Sequence, residues 1–470
     1  MQAHYSQTSL RPQKTRTKAL SQRPVLQKAS HSAPPDGRRR VPTKMTLLDH
    51  ARAQERDDAA ASHEKDAKHG LLVQKKPPSY PQNGLKFAIA GTGAMGLEHI
   101  RNISLLRDRG STIVAVADSD ARARKEARAE LDKWGFPNAK VMSDWHSLFD
   151  CGCDAFIVAT PNYQHHELLV ELLPLAKMHV LCEKPLCTTI QDCLDVEALV
   201  KEHYTQSDYM FMVGMEYRWM PPIAKLVETV DSKVLGTTKM VAIREHRFPF
   251  LHKVAYWNRF NKWTGGTLVE KACHFFDLMR RIVAHDGTAD ALSVYACGGG
   301  GVNHRDEDYD GKQPDILDFA HVIVSFSNGC SASLDLCMFA EDMQTEYVGV
   351  VGTKGKVEAR CPECQFRLTT RSAKSIAPGR TPPLENERNK PVVCEVHPDA
   401  KVREAGFHEG ATFFELAAFV EAAASDRVPP VSVRDGLMAV ALGVAAHRSL
   451  DEKRCVLISD VLPGYAPPQN

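Results

Sequence analysis

Three groups in this chain have the residue types needed to take a proton from a hydroxyl and hold the oxygen left behind. Lys184 lies in Cys182-Glu183-Lys184-Pro185, at the end of an apolar run that Pro185 must stop, because proline cannot donate to a ladder. A lysine there can hydrogen-bond a substrate oxygen, and desolvation would lower its pKa enough for proton traffic. Farther on, Gly265-Gly266-Thr267-Leu268-Val269-Glu270 leads into Lys271-Ala272-Cys273-His274-Phe275-Phe276-Asp277. On one helix, Glu270 and His274 stand four residues apart and share a face. Histidine is the natural proton acceptor near neutral pH, and a neighbouring carboxylate would orient it and raise its basicity. Thr160-Pro161-Asn162-Tyr163-Gln164-His165 either touches a nicotinamide or simply turns the chain. Plainer accounts stand beside these: a solvated surface lysine, and a satisfied core histidine behind a glycine-capped helix start.

The element that must position these groups begins at Leu85. Its apolar run meets Gly91-Thr92-Gly93-Ala94-Met95-Gly96 and then a helical stretch from Leu97 to Leu106. Strand, glycine turn and helix start together lift a GxGxxG pattern above background. Gly91 allows the tight turn, Gly93 lets a pyrophosphate approach the backbone, and Gly96 lets helix and strand pack closely. The free N–H groups of the helix start face the phosphates. Asp118 closes the second apolar run, 22 residues after Gly96, where a carboxylate accepts hydrogen bonds from an adenosine ribose. It repels a 2′-phosphate, so NAD is favoured over NADP, a bias that Arg122 and Arg124 could soften.

From Asn83 to Met215 strands and helices alternate, the pattern of a parallel α/β sheet with six strands. Helices are expected over 121–133, 165–177 and 190–203. Beyond Met215 strand-like runs dominate: 239–244, 292–296, 318–326, 330–336 and 346–351, with Ser327-Asn328-Gly329 a hairpin turn between two of them. This predicts a second, largely antiparallel sheet. Residues 361–404 are rich in proline and charge and read as a surface excursion, and two late helices, 408–424 and 433–450, end the fold. The expected organisation is a basic extension and linker over 1–82, a dinucleotide-binding domain over 83–216 and a second domain over 217–465.

The first 44 residues hold ten Lys/Arg against one acid, Asp36, with no apolar periodicity, so disorder is expected there. Their composition also resembles an organelle transit peptide, although Pro24, Pro34 and Pro35 interrupt any amphipathic helix. Net charge over the 470 residues is +1, and no apolar run approaches a membrane span, so neither nucleic acid nor membrane is an expected partner. Thirteen scattered cysteines, with no secretory signal read, suggest a reducing cytoplasmic setting. Cys151 with Cys153, and Cys361 with Cys364, invite a metal reading. A structural zinc needs a second pair and only Cys394 follows, so no metal is expected.

Taken in order, Gly91-Thr92-Gly93-Ala94-Met95-Gly96, Thr160-Pro161-Asn162 with His165, Cys182-Glu183-Lys184-Pro185-Leu186, and Gly265-Gly266 with Glu270, His274 and Asp277 resemble the glucose-fructose oxidoreductase / inositol dehydrogenase / MocA family. Gly214-Met215-Glu216-Tyr217-Arg218 and Gly352-Thr353-Lys354-Gly355 are further matches, and the resemblance runs from about Leu85 to Asp460. It implies an α/β fold, a Rossmann domain followed by an α+β domain whose open sheet mediates a homo-oligomer, a dimer or tetramer. It implies an NAD(P)-dependent oxidoreductase acting on a CH–OH of a sugar, cyclitol or polyol. Lys184, His274 and Glu270 fall on the catalytic positions, the last usually Asp in the family. The cofactor positions fall on residues 91–96, Asp118, Thr160, Pro161, Asn162, His165, Glu183 and Lys184. Arg218, Trp257, Lys271 and His274 are the expected substrate contacts; Lys271, where the family often has a small residue, could instead pair with Glu270 or point away. The aromatic and basic run from Arg244 to Arg259 suits either a polyhydroxylated ring or an oligomer interface. Two rivals share the fold: a non-catalytic nucleotide-binding sensor, and a redox-neutral glycoside-cleaving enzyme that holds NAD.

Overall fold

The apolar run before the glycine turn forms β1 (Lys86–Ala90), buried from Phe87 onward, and the turn opens α1 (Ala94–Ser104). The computed structural model describes residues 84–340, 344–372, 388–425 and 428–468; the expected basic extension over 1–82 lies outside them. Alternation then continues through β2 (Thr112–Ala117), α2 (Ala121–Lys133), β3 (Lys140–Met142) and β4 (Ala155–Val158). After β4 come α3 (His165–Leu172), β5 (His179–Glu183), α4 (Ile190–His203) and β6 (Phe211–Gly214). The six strands order as β3-β2-β1-β4-β5-β6, every neighbouring pair parallel. Strand order reverses between β1 and β4, so their C-terminal ends flank the crevice where such sheets bind ligands. Helix starts are fixed locally: the Asp120 carboxylate accepts from the Arg122 and Ala123 amides, and the Thr189 hydroxyl from the Asp192 amide. The helix expected over 165–177 is shorter. Pro174, which lacks an N–H, tightens its end into a 3₁₀ turn over Leu173–Leu175.

Beyond β6, α5 (Pro221–Asp231) leads into β7 (Thr238–His246). Three helices follow, α6 (Asn261–Thr264), α7 (Thr267–Glu270) and α8 (Cys273–Val283). The second sheet adds β8 (Ala291–Gly299), β9 (Phe319–Phe326), β10 (Ser331–Cys337), β11 (Thr345–Gly352), β12 (Gly355–Cys361), β13 (Gln365–Thr370), β14 (Val392–Glu395) and β15 (Val456–Leu457). Its order is β14-β13-β12-β11-β7-β10-β9-β8-β15, antiparallel throughout except for β7 beside β10. Ser327–Gly329 turns β9 into β10 as expected. The surface excursion expected over 361–404 is a misreading in part. Phe366 and Leu368 point inward and Arg367 outward, so β13 extends the sheet, and β14 pairs with it at the edge. A short helix, α9 (Ala400–Glu404), follows.

The last two helices, α10 (Ala411–Ala424) and α11 (Val433–Glu452), return to the first sheet. Phe419 of α10 packs on Phe87 of β1, ring centroids 6.3 Å apart, and the Val213 amide of β6 donates to Val431. Starting from a Ser432–Asp435 capping box, α11 packs on α4 and β6 on one side and on α8 and β8 on the other. One continuous core therefore joins both sheets. Among the described residues no helix is long and apolar enough to cross a membrane.

Candidate active site

At the end of β1 the three glycines separate by function. Gly91 has φ +91°, and a Cβ there would lie 2.4 Å from the Ala159 carbonyl oxygen. A Cβ on Gly96 would lie 2.0 Å from the carbonyl oxygen of Gly91, so only glycine lets α1 seat against the turn. A Cβ on Gly93 would meet nothing within 4 Å, because this residue faces open space over the start of α1, where Ala94 and Met95 sit. Asp118 closes the other side. One of its oxygens accepts from the Thr92 amide (2.8 Å) and hydroxyl (3.2 Å), so the Thr92 side chain fixes the carboxylate rather than facing the crevice. Arg124 is turned onto the Asp118 and Ser119 carbonyls. At the end of β4, Thr160 Oγ1 and Asn162 Nδ2 are buried without a hydrogen-bond partner, polar atoms left over beside the crevice. Open space at Gly93, amides at a helix start, a fixed carboxylate and these two atoms fit a nicotinamide dinucleotide.

Three expected cofactor contacts are committed elsewhere. His165 is fully buried between the Pro185 carbonyl (2.9 Å) and the Thr160 carbonyl (3.0 Å), so it braces the ends of β4 and β5 against each other. Glu183 bonds His99 of α1 at 2.7 Å, both buried. Pro161 only opens the turn over Asn162–Gln164.

Lys184, Glu270 and His274 do converge, though not as one helix face. The Lys184 ammonium donates to the Glu270 carbonyl oxygen at 3.4 Å. The helix expected to carry both Glu270 and His274 is broken. α7 ends at Glu270, the Ala272 amide reaches back to the Thr267 carbonyl, and α8 starts at Cys273. Glu270 consequently faces the lysines. Burial raises its pKa, against the opposing pull of Lys253, Lys184, Arg247 and Lys271. Burial pulls Lys184 down, but the surrounding Cys273, Glu270, Glu216 and Glu183 outweigh it and hold the ammonium above its ordinary value, contrary to the expected lowering. His274 goes the other way. Burial, then Lys184, Lys271, His408 and Arg247, push it well below the ordinary imidazole value. The site thus pairs a cationic lysine with a neutral histidine.

The neighbours of His274 are residues the sequence named only within a motif, Tyr217 and Glu216. Its ring stacks on Tyr217 (centroids 4.1 Å, planes 11° apart), and Nε2 lies 3.9 Å from Glu216 Oε1. Its Nδ1 is buried without a partner. Lys271 points away from Glu270. Its ammonium donates to the Tyr217 hydroxyl at 2.6 Å and pairs with buried Glu245 at 2.8 Å. Arg218 is also spoken for, with Nε donating to the buried Asp277 at 2.6 Å and a second nitrogen to the same carboxylate. It ties the exit of β6 to α8 instead of opening onto the crevice. Trp257 is buried beside Tyr163 (6.1 Å), with the Lys253 ammonium 5.2 Å from its ring. The sequence reading gave Glu216 and Lys253 no role of their own, although both stand in stretches it named, and it missed His408. Lys253 lay inside the basic run already noted, whereas Glu216 and His408 meet only through the fold.

Among the described residues one group could hold a cation, His166 with Asp192 and Asp195 on the α3–α4 surface. Cys394 accepts from Lys225 and takes no part in it.

Known proteins resemble this chain over both of its sheets. Residues 85–211 match the model for the oxidoreductase family's NAD-binding Rossmann fold, and residues 227–458 match that family's C-terminal alpha/beta domain. The myo-inositol 2-dehydrogenase of Thermotoga maritima is 27% identical over 384 residues, covering 80% of this chain and 100% of the relative. A crystal structure of a probable dehydrogenase from Thermotoga maritima superposes with a TM-score of 0.61 at 25% identity, covering 80% of this chain and 100% of that one. Levoglucosan dehydrogenase in complex with NADH and levoglucosan has the same fold at 18% identity, TM-score 0.65, over 80% of this chain and 100% of that one. With both family domains matched in order, this chain belongs to the glucose-fructose oxidoreductase / inositol dehydrogenase / MocA family of oxidoreductases.

Proposed function

We propose that this protein is a dehydrogenase that moves a hydride between a CH–OH carbon of a sugar, cyclitol or polyol and a nicotinamide dinucleotide. The observation that carries this reading is the convergence of Lys184, just past the end of β5 with its ammonium on the Glu270 carbonyl, and the buried His274. The nicotinamide, when bound, supplies the hydride acceptor or donor. Lys184 holds the reacting oxygen and stabilises negative charge developing on it, as a preorganised donor does. His274, neutral near physiological pH, takes the hydroxyl proton, a role worth roughly 10²–10⁴ in rate. Glu270 balances Lys184 and Lys253 rather than steering His274. Trp257 and Tyr163 offer an aromatic flank suited to a polyhydroxylated ring. Asp118 favours NAD over NADP, since a carboxylate fixed by Thr92 accepts a 2′-hydroxyl and repels a phosphate. The exposed face of the second sheet carries Met240, Tyr295 and Ile323, which supports a homo-oligomer, and thirteen free thiols support a reducing compartment.

The test is nicotinamide absorbance while the protein, with NAD and separately NADP, meets a panel of inositols, aldoses and polyols. Accumulation of reduced NAD with one of them supports the reading. Bound NAD with no reduction by any of them would count against it and favour a sensor or a redox-neutral enzyme.

A further inference from the structure

Cys151-Gly152-Cys153 lies between a 3₁₀ turn over Trp145–Leu148 and the start of β4. It therefore stands at the N-terminal end of β4, whereas the crevice lies at the C-terminal end of that strand. Backbone bonds fix the segment on both sides. The Cys151 amide donates to the Leu148 carbonyl at 3.2 Å. Asp154 ties the other end to Lys86 of β1, its amide donating at 2.8 Å and its carboxylate accepting at 2.9 Å. Gly152 is exposed and left-handed, with φ +77°, and a Cβ there would meet nothing within 4 Å, so the space beside the pair is open. Both cysteines are half-buried free thiols, packed against the core on their other side. The Cys153 thiol donates to the Cys151 sulfur. It also lies 3.6 Å from the Met178 thioether, but a thiol has one hydrogen and the thioether is the weaker acceptor. That bond, with the Cys153 and Cys151 amides and the Lys140 charge, outweighs burial and brings the Cys151 thiol down to about 7. Cys153 goes the other way, pushed up by the same bond, by burial and by the charges of Cys151 and Asp154. One sulfur is thus a ready thiolate near neutral pH, and its neighbour holds a proton. Among the described residues the group that could hold a cation contains neither.

We propose that Cys151 and Cys153 form a thiol–disulfide exchange site that takes small disulfides. The Cys151 thiolate attacks one sulfur of a disulfide R–S–S–R. The S–S bond breaks, R–S⁻ leaves, and Cys151 is held in a mixed disulfide. With the Cys151 charge gone, Cys153 gives its proton to the departing R–S⁻ and attacks the Cys151 sulfur. The mixed disulfide breaks, the second R–S⁻ leaves, and a Cys151–Cys153 disulfide remains. Two protein sulfurs are oxidised and the two sulfurs of the small disulfide are reduced. Excess thiol runs the same steps backward. A disulfide spanning one residue on an open surface is strained and exchangeable rather than structural. The site is separate from the crevice and does not depend on the dehydrogenase reading.

The test uses the full chain and glutathione disulfide. Trypsin cuts after Lys140 and Lys177, and the peptide between them holds Cys151 and Cys153 as its only cysteines. The exposed Cys297 and Cys455 fall in other peptides, so their reactions do not enter the result. The protein would be equilibrated with glutathione disulfide, quenched with N-ethylmaleimide and digested. Mass spectrometry should find the peptide lighter by two hydrogens and unalkylated, and excess glutathione should return both thiols. In Cys153→Ser the same peptide should stop at the mixed disulfide, carrying one glutathione. In Cys151→Ser the reaction at pH 7 should slow by roughly tenfold or more, because the remaining thiol is the one that holds its proton. A wild-type peptide alkylated at both cysteines under every ratio of glutathione disulfide to glutathione overturns the site. So does a wild-type peptide that stops at one bound glutathione, since the second attack then never occurs.

Discussion

Alanine placed at Gly93 or at Gly96, three residues apart on the same turn, should damage two different properties. At Gly93 the backbone sits at φ −70° and ψ −160°, open to any residue, and a new Cβ meets nothing within 4 Å. Stability of the cofactor-free protein should therefore stay within about 1 kcal/mol of wild type. That methyl occupies the space where a pyrophosphate would approach, so the Kd for NAD should rise about tenfold or more, a loss of at least ~1.4 kcal/mol. At Gly96 the added Cβ lies 2.0 Å from the Gly91 carbonyl oxygen, an overlap with rigid backbone. Helix α1 must back off the turn by more than an ångström, placing the cost at or above the upper end of the ~1–3 kcal/mol typical of overpacking. Thermal unfolding of the cofactor-free proteins and calorimetric titration with NAD read the two effects. The reasoning is refuted if Gly93→Ala binds NAD as tightly as wild type, or if Gly96→Ala unfolds at the wild-type temperature.

Other substitutions test the site and its supports. Lys184→Met should lower turnover by roughly 10² or more, with NAD affinity nearly unchanged, as single-turnover kinetics beside calorimetry would register. Arg218→Ala leaves the Asp277 carboxylate buried and unpaired, so denaturant unfolding should show a loss of about 3–5 kcal/mol. A change in KM without that loss would make Arg218 a substrate contact after all. His447 accepts the Leu268 amide on Nε2, and burial lowers its pKa from the ordinary 6.5 to about 4. A depressed folded-state value means its stabilisation is complete above 6.5 and is lost as pH falls toward 4, on the order of 3 kcal/mol. His447→Gln, whose side-chain carbonyl can still accept that amide, should flatten the acid limb of the stability–pH curve by about this amount. An unchanged limb would place the titration elsewhere.

What was legible in the sequence is what neighbours along the chain decide. The first strand, its glycine turn and Asp118 need only local spacing, and α2 and α4 lie where the alternation predicts them. The edge strands β13 and β14 were hidden because Pro362 and the dense charge around them mask the short alternation of Phe366, Arg367 and Leu368. The break between α7 and α8 carries no proline or glycine. It follows from the Thr267 carbonyl accepting two amides in succession, those of Lys271 and Ala272. Lys271 and Arg218 looked available in the sequence because their partners, Glu245 and Asp277, are set by the fold. Glu216 and His408 are 192 positions apart and meet only when the chain after residue 400 returns to the first sheet.

The central claim is hydride transfer from a substrate carbon, and isotope tracing tests it most directly. A substrate found in the panel would be deuterated at the carbon to be oxidised and incubated with NAD and the wild-type protein. Mass spectrometry of the recovered nicotinamide would follow, with Lys184→Met alongside. One deuterium carried into the reduced cofactor, and none with the variant, is the predicted result. Substrate consumed while the nicotinamide stays oxidised and unlabelled at the end would contradict the claim.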